Sequence, residues 1–363
     1  MSEVRTLRLT ILGVVATFVF AGCGAGQSSN GAGQSSNGGG GASNGSPVVE
    51  GDLGAVCAAA QDEGELVYWA TLEPDNLDRI YEVFAAAYPG IELQFVPLRV
   101  QEMVQRLLTE QSANREPDVD LLVQELEVAV PLVDNGLIET DIDWTALGVP
   151  DDVITESNMV RSDRIAIGLV YNTDELSADD LPDSWEDLVD PRWAGELVAD
   201  PRGVQFNILG LHEDWGPEAT LDYVHRLKDV TEPLLVEGGT AGMLTVASGE
   251  RSVTTNGRSA ETLEQQAAGA PLEIKYLDVV PVADSYQAVV EGAPHPNAAA
   301  CFVGWTLSAE GQEVYEEVEF KQNDSIPSGA PEGVEVIGIE TADDARAASE
   351  LVEQIRQIWL EED

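Results

Sequence analysis

The sequence predicts a two-lobed α/β protein with open mixed sheets, flanking helices and segments that cross between the lobes. The chain has 363 residues, enough for two hydrophobic cores of roughly 100 to 200 residues each. Stretches typical of strands alternate with stretches typical of helices, which is the pattern of an α/β sheet. Between residues 165 and 203, a strand, a short helix and a second strand are each ended by turn residues. Because turn residues end each of these elements, the stretch is predicted to cross between the two lobes.

The N-terminus predicts an export signal followed by a lipid attachment site. Arg5 and Arg8 precede an apolar run over residues 9–20, and a small-residue site follows. That run is short for a membrane span, which needs about 20 apolar residues. Because Phe-Ala-Gly directly precedes Cys23 and is similar to a lipobox, we expect cleavage of residues 1–22 and a lipid on the Cys23 sulfur.

A linker of low complexity follows the lipid site. Residues 23–52 are mostly Gly, Ser, Asn, Ala and Gln, and the unit Ala-Gly-Gln-Ser-Ser-Asn-Gly occurs at both Ala25 and Ala32. Such a composition cannot bury a core and behaves as a flexible chain. We therefore predict a tether that lets a globular body move above a membrane.

The first part of the globular region predicts three strands, each followed by a helix. The strands are expected at residues 66–70, 91–95 and 119–123, and the helices at 71–88, 100–111 and 124–136. Open α/β sheets bind ligands at the carboxyl ends of their strands, where helix N-termini offer backbone N–H groups. Thr71 and Gln124 follow two of these strands, so both are candidate ligand contacts.

The second part predicts more strands and helices of the same kind. Strands are expected at residues 165–171, 197–199, 252–256, 274–277 and 279–282, and helices at 206–210, 219–227 and 342–360. Two more helices are expected, one between Thr240 and Gly249 and one between the prolines at 294 and 296 and Ser308. Gly238 and Gly239 allow close backbone approach, and Thr240 is expected to cap the helix that Gly249 ends. An ordinary capped helix and an anion site at its N-terminus remain alternatives there.

Two stretches of this region carry a family resemblance. Val-Tyr-Asn-Thr-Asp at 170–174, Ser-Trp-Glu-Asp-Leu-Val-Asp-Pro-Arg-Trp-Ala-Gly at 184–195 and the Asp-Pro turn at 200–201 resemble extracellular solute-binding proteins of ABC importers. The second stretch, 294–312, ends in Ser-Ala-Glu-Gly-Gln. The resemblance runs from about Gly64 to the C-terminus, and it looks like the group of ferric-ion, 2-aminoethylphosphonate, thiamine and polyamine binders.

The resemblance implies a type 2 periplasmic-binding-protein fold and a transport role. It implies one lobe made of residues 53–168 and 284–363, and a second lobe made of residues 169–283. Closure of the lobes on a small solute, and presentation of the closed form to a membrane permease, are expected of such a protein. We expect a monomer without a cofactor, a bound metal or a covalent step.

The identity of the ligand stays open at this point. Ferric-ion binders of the resembling group use neighbouring tyrosines shortly after the position of residues 246–250, and Val253-Thr-Thr-Asn256 offers none. A phosphonate- or carboxylate-like anion is favoured, because Arg202 and Arg258 can supply forked donors. A polyamine or thiamine ligand, or a ferric complex, is the alternative. A polyamine would need an aromatic box with acids, for which Trp69, Tyr286 and Glu125 are available. The predicted ligand-binding residues are Trp69, Thr71, Gln124, Tyr171, Asn172, Arg202, Gly239, Thr240, Arg258 and Tyr286.

Composition argues against several other classes of protein. Asp and Glu number 66 against 18 Lys and Arg, a net charge of -48, so nucleic acids and anionic membrane surfaces are not expected partners. The three histidines show no metal-binding spacing, and neither a P-loop nor a dinucleotide fingerprint is present. A hydrolase on a bilobal scaffold and a sensory lipoprotein remain alternatives of another class. Cys57 and Cys301 fit either a disulfide of an exported protein or two buried thiols.

Overall fold

The computed structural model describes residues 48–321, 323 and 327–361. The predicted signal peptide, Cys23 and residues 23–47 of the predicted tether lie outside the described residues. Within the described part, eleven α-helices occur in chain order: α1 Leu53–Glu63, α2 Pro74–Ala87, α3 Val100–Ser112, α4 Leu126–Asp134, α5 Val204–Leu209, α6 Gly216–Thr231, α7 Gly239–Ala247, α8 Ser259–Ala267, α9 Pro296–Thr306, α10 Ala309–Glu319 and α11 Ala342–Leu360.

Ten strands form the sheet of the described residues. They are β1 Glu65–Ala70, β2 Glu92–Pro97, β3 Leu121–Gln124, β4 Val160–Asn172, β5 Leu197–Ala199, β6 Leu234–Leu235, β7 Val253–Arg258, β8 Leu272–Lys275, β9 Val279–Val289 and β10 Glu335–Ile337. The strand order is β2-β1-β3-β9-β4-β7-β5-β6, with β10 beside β9 and β8 beside β4. The predicted fold class, a two-lobed α/β protein with mixed sheets, is confirmed.

The two ends of this order differ in direction from its middle. Strand β1 runs parallel to β2 and β3, and β5 runs parallel to β6 and β7. Strands β4 and β9 are antiparallel to each other and to their outer neighbours. We call β2-β1-β3 the first half of the sheet and β7-β5-β6 the second half.

Strand β4 connects the two halves. Its residues 160–166 pair with β9, and its residues 167–171 pair with β7. The sequence predicts this strand only from residue 165, because the polar run Arg161-Ser-Asp-Arg164 lacks the apolar pattern that would indicate its first residues. A strand that leaves one half and enters the other, together with antiparallel β9, forms the crossing ribbon between them.

Separate hydrophobic clusters pack on the two halves. Phe84, Phe302 and Trp305 meet with ring centroids 5.1 to 5.7 Å apart in the first. Trp185 and Phe206 lie in the second, with centroids 5.9 Å apart. These burials carry most of the fold's stability, since each large apolar side chain contributes about 1.5–3 kcal/mol. The division into residues 53–168 with 284–363 and 169–283 stays a prediction.

The last helix, α11, contacts both parts of the molecule. Ala345 and Ala348 belong to a cluster with α3 and α4, whereas Ile355 and Ile358 join the cluster around Phe206. The apolar spacing of this helix predicts its buried face, but it does not show that the face is shared between two clusters.

Cys57 and Cys301 form a disulfide that joins α1 to α9. The structure thereby decides between the two alternatives that the sequence leaves open. The bond links positions 244 residues apart in the chain, so it closes a very long loop of the unfolded protein.

Several local predictions differ from the structure. Thr240 does not cap α7, since the helix begins at Gly239 with Gly238 as its N-cap and no side-chain cap bond. The short helix after Ser184 is a single 3-10 turn, Glu186–Leu188. Helix α8 was not predicted, because its sequence, Ser-Ala-Glu-Thr-Leu-Glu-Gln-Gln-Ala, shows little apolar periodicity. Among the described helices, none is both long and apolar enough to cross a membrane.

Candidate ligand-binding site

A small cavity of about 100 Å³ lies where the strand ends of both halves approach the crossing ribbon. We call it the central cavity. Five of its lining residues are charged, and they come from four different elements or turns. The lining residues are Glu125, Glu127, Arg202, Val204, Arg258, Val282, Ala283, Asp284 and Ile339. A small concave site with convergent polar groups is the arrangement expected for a binding site.

Asp200 holds the turn that carries Arg202. Its buried carboxylate accepts from the Arg202 backbone N–H at 2.9 Å and from the Arg202 side-chain Nη2 at 2.6 Å. It also accepts from the Gly238 backbone N–H at 3.0 Å and from Asn256 Nδ2 at 3.1 Å. Because one carboxylate ties together the turn after β5, the start of α7 and the end of β7, these pieces keep a fixed geometry. The Arg202 guanidinium beside Asp200 helps hold the pKa of that carboxyl below its ordinary value, although burial opposes this.

Arg258 is the last residue of β7, and its side chain packs against the first turn of α7. Its Nε donates to Glu261 Oε1 at 2.8 Å. A Cβ added at Gly239 would lie 3.0 Å from Arg258 Cδ and 3.2 Å from the Asn256 carbonyl oxygen. Glycine at 239 therefore permits α7 to pack closely against this arginine, which is the close approach that the sequence predicts.

The opposite wall of the cavity is acidic. Glu125 precedes α4 as its N-cap residue, and Glu127 lies in the first turn of that helix. Burial, together with the charges of Glu125 and Asp284, raises the pKa of Glu127 to about 7. Sequence reasoning named Glu125 only for a polyamine box and missed Glu127. The sequence did contain a signal for Glu127, since this residue lies at the start of a predicted helix that follows a predicted strand.

The floor of the cavity belongs to the crossing ribbon. Arg164 on β4 and Asp284 on β9 form a bidentate ion pair, with Nε–Oδ1 and Nη2–Oδ2 distances of 2.8 Å. Both side chains are buried. A buried fork of this kind neutralises Asp284 and orients both strands. Asp284 therefore contributes little free negative charge to the cavity.

Of the predicted site residues, Arg202 and Arg258 line the central cavity together, and Gly239 packs directly on Arg258. Gln124 and Tyr286 lie next to it as paired neighbours on β3 and β9. The Tyr286 hydroxyl donates to the carbonyl oxygen of Ile339, which lines the cavity, at 3.0 Å. The Gln124 Oε1 atom has no hydrogen-bond partner among the described residues.

Three of the predicted residues, Trp69, Thr71 and Thr240, have other surroundings. Trp69 is 1% exposed, and the Arg106 guanidinium lies 4.3 Å from its ring centroid. Thr71 and Thr240 are exposed after β1 and in α7, and neither lines the central cavity. Since Tyr286 is also buried, at 3% exposure, Trp69 and Tyr286 present no open aromatic box.

Tyr171 and Asn172 lie at the opposite end of β7 from Arg258. In the β4–β7 register, Ile167 faces Arg258 and Tyr171 faces Val253. Five residues of strand separate these positions by roughly 15 Å. The Tyr171 hydroxyl donates to Glu273 Oε2 at 2.6 Å, and Asn172 Nδ2 donates to the Val246 carbonyl at 3.0 Å. The structure does not bring these two residues to the central cavity.

Two further observations concern the ligand chemistry. No tyrosine lines the central cavity, and within the described ranges no group of three or more His, Cys, Asp or Glu side chains is placed to hold a metal ion. A larger cavity of about 320 Å³ lies along α8, between Tyr276 and Phe320. None of the predicted ligand-binding residues lines that second cavity.

Comparison with known proteins identifies relatives in sequence. The chain is 24% identical over 278 residues to the Fe(3+)-binding periplasmic protein of Serratia marcescens, an alignment that covers 71% of this chain and 77% of that protein. It is 31% identical over 172 residues to an uncharacterized protein of Haemophilus influenzae, covering 44% of this chain and 47% of the relative. The chain thus spans about half the length of the second relative.

Solved structures show the same fold. Iron-bound HitA from Pseudomonas aeruginosa matches with a TM-score of 0.67 and 20% identity, covering 82% of this chain and 99% of that chain. AfuA from Actinobacillus pleuropneumoniae, bound to fructose-6-phosphate, matches with a TM-score of 0.60 and 20% identity, covering 80% and 98%.

The family model described as bacterial extracellular solute-binding protein matches residues 79–318. This range holds the central cavity except for Ile339, and it includes β2 and β3 of the first half of the sheet, the whole second half and the crossing ribbon. Proteins of this kind are exported, bind small molecules and serve transport rather than catalysis. The chain belongs to the bacterial extracellular solute-binding protein family.

Proposed function

We propose that the protein is the lipid-anchored substrate-binding component of an ABC importer and that it captures a small phosphonate- or carboxylate-like anion. In this proposal the ligand binds in the central cavity, between a lobe of residues 53–168 and 284–363 and a lobe of residues 169–283. The closed form is then delivered to a membrane permease, and Cys23 carries the lipid.

The observation that carries the anion assignment is the pair of arginines with unused donors. Arg202 donates hydrogen bonds to Asp200 from its Nε and Nη2, and Arg258 donates one to Glu261 from its Nε. Among the described residues, Arg202 Nη1 and both Nη atoms of Arg258 have no hydrogen-bond partner. Guanidinium groups that are oriented by one carboxylate and keep free N–H groups are suited to bind an oxyanion.

Closure is proposed to bend the crossing ribbon. Strands β4 and β9 are the connections that carry the chain between the halves of the sheet, and the Arg164–Asp284 fork keeps them in register. Hinge motions of binding proteins use a few backbone positions at such connections. The register shift between Arg161 and Asp163 marks an irregular point where β4 can bend.

A thermal-shift screen of phosphonates, carboxylates, polyamines, thiamine and ferric complexes tests the ligand class. A ligand that binds the folded protein raises its melting temperature by mass action. We expect the anions to produce the largest shifts. A shift with polyamines or ferric complexes and none with anions would overturn the anion assignment.

Arginine variants test the site itself. Arg202→Gln and Arg258→Gln should each weaken binding of the best anion by about tenfold to a hundredfold, because each loses a charge-assisted hydrogen bond. Arg226→Gln is the matched control, since Arg226 forms exposed ion pairs with Glu186 and Asp222 on α6. Isothermal titration measures all three, and equal affinities would place the ligand elsewhere.

The lipid anchor is tested in cells that export the full chain. Cys23→Ala should move the protein from the membrane fraction to the soluble exported fraction, because one cysteine carries the proposed anchor. Mass spectrometry of the mature N-terminus checks the modification directly. An unchanged distribution between the fractions would contradict the anchor without affecting the ligand proposal.

A further inference from the structure

Helix α11 contacts both halves of the sheet. In the second half it packs against α5 and α6, the helices that connect β5 to β6, and in the first half it packs against α4, which follows β3. Helix α4 carries Glu127 in its first turn and α5 begins at Val204, and both of these residues line the central cavity. Any change in the distance between the two walls therefore has to be accommodated along α11.

The contact between α11 and the second half is close and interlocked. A Cβ added at Gly203 would clash with Ile355 Cγ2, and a Cβ added at Gly210 would clash with Leu351 Cδ2. The Lys228 ammonium on α6 donates to two backbone carbonyl oxygens at the end of α11, at 2.7 and 2.9 Å. Because protein interiors are close-packed and these side chains fill the space that the glycines leave, this part of α11 cannot slide along α5 without a clash.

The contact between α11 and α4 is of a different kind. Ala345 and Ala348 are buried in the cluster that also holds the apolar face of α4. An alanine side chain is a single methyl group, so it makes far fewer dispersion contacts than a buried leucine. At the edge of this contact, Arg346 Nη2 lies 2.6 Å from Oδ1 of Asp134, the last residue of α4, and both side chains are about half exposed. The α4 contact is therefore the weaker of the two.

The ordinary explanation for α11 is that a long amphipathic helix covers apolar surface. That explanation accounts for its large side chains, which all lie on the second half. It does not account for an ion pair that joins this helix to the first half across the edge of the cavity. The similarly exposed Arg79 pairs with Glu317 instead, and it joins α2 to α10, which both pack on the first half.

We propose that α11 is fixed to the second half and is a latch on the first half, formed by Ala345, Ala348 and the Arg346–Asp134 ion pair against α4. The latch stabilises the arrangement in which both walls enclose the central cavity, and it gives way when the halves separate. A ligand that needs both walls binds the latched form, so the latch sets ligand affinity without touching the ligand. This inference refines the lobes of the proposed function, because α11 then moves with the second half.

Charge variants test the latch without changing the central cavity. Arg346→Gln removes the ion pair, and Asp134→Arg places two cations side by side. Asp134→Arg combined with Arg346→Asp reverses both charges and restores the pair. Arg79→Gln is the matched control, since Arg79 also pairs with an acid three positions away and with an acid on a second helix, but within the first half.

Small-angle X-ray scattering of the ligand-free exported protein measures the separation of the halves. The salt concentration is kept at roughly 50 mM, so that screening of the pair stays weak. We expect the radius of gyration to rise in Arg346→Gln, to rise further in Asp134→Arg, and to return to the original value in the double reversal. Arg79→Gln should leave it unchanged. A melting curve of each variant confirms that it is folded.

Isothermal titration with methylphosphonate measures the effect on binding. Arg346→Gln should weaken the affinity by about two- to fivefold, which is the range expected for the loss of one half-exposed ion pair. The double reversal should bring the affinity to within about twofold of the original protein. Arg79→Gln should not change it.

The outcomes judge the latch and the ligand separately. An unchanged radius of gyration in Asp134→Arg, or an equal increase in Arg79→Gln, overturns the latch. A loss of affinity that the double reversal does not restore also overturns it, since the ion pair is then not the cause. If methylphosphonate binds none of the proteins, the anion assignment fails and the scattering alone decides the latch.

Discussion

The two walls of the central cavity are built by different means. The wall of the second half carries positive charge on Arg202 and Arg258, and the buried carboxylate of Asp200 connects its parts. The wall of the first half carries the acidic residues Glu125 and Glu127, and neither carboxylate forms an ion pair with another described residue. One wall is therefore organised before a ligand arrives, while the other still lacks a countercharge.

The halves also differ in how they are held together. The first half is fastened by the Cys57–Cys301 disulfide between α1 and α9, at a distance from the cavity. The second half depends on hydrogen bonds close to the cavity. Stability and ligand binding should thus be separable in the first half and coupled in the second. The following changes test that contrast.

Removal of the disulfide should have the largest effect on stability. Cys57→Ala with Cys301→Ala is expected to lower the free energy of unfolding by about 2–5 kcal/mol, because the unfolded chain regains the freedom of a long loop. Urea unfolding measures the loss. Anion affinity should stay the same if the first half is fastened independently of its cavity wall. A matching loss of affinity would contradict that separation.

Asp200→Asn should affect stability and binding together. We expect a loss of about 2–4 kcal/mol in the free energy of unfolding, since an amide cannot satisfy the cationic donors of Arg202 and leaves buried groups unpaired. Anion affinity should fall at least tenfold because Arg202 and the start of α7 lose their common anchor. Asp222→Asn is the control, as its partner Arg226 is exposed. An affinity that does not change would show that Asp200 is structural only.

The pH dependence of stability should reveal the titration of Glu127, which lies in the acidic wall of the central cavity. Glu127 has a pKa of about 7 in the folded protein against 4.5 for an ordinary glutamate, so the folded chain holds more protons between these values. The free energy of unfolding should therefore fall as the pH rises from about 4.5 to 7, by about 1–2 kcal/mol from this group. Glu127→Gln removes that slope, and Glu218→Gln should keep it. Identical slopes in all three proteins would place the charge of Glu127 in solvent.

Arg106→Ala should have the smallest effect. Arg106 lies over the Trp69 ring and pairs with Asp118 at the surface, so its loss should cost about 0.5–1 kcal/mol. Anion affinity should not change, because Trp69 is buried away from the cavity. Thermal unfolding and titration check both statements, and Arg106→Lys serves as the conservative comparison. Weaker anion binding in Arg106→Ala would return Trp69 to the ligand site.

Part of the site was predictable because strand ends and turns have local signatures. Asp200-Pro201 ends a short apolar strand, and Gly238-Gly239 precedes a helix, so Arg202 and Gly239 could be named from neighbouring letters alone. Tyr171 and Asn172 were named by the same logic, as residues that end an apolar run. They end their strand at the far side of the second half, because β4 runs antiparallel to β7.

The sequence by itself determined the alternation of strands and helices, the family resemblance and the two arginines at strand ends, since each depends on residues within a few positions of one another. Only the tertiary structure decided the disulfide, the antiparallel ribbon and the grouping of Glu127, Arg202 and Arg258 around one cavity. These features join residues tens to hundreds of positions apart. Long-range pairs of this kind depend on strand order and direction, which local periodicity does not encode.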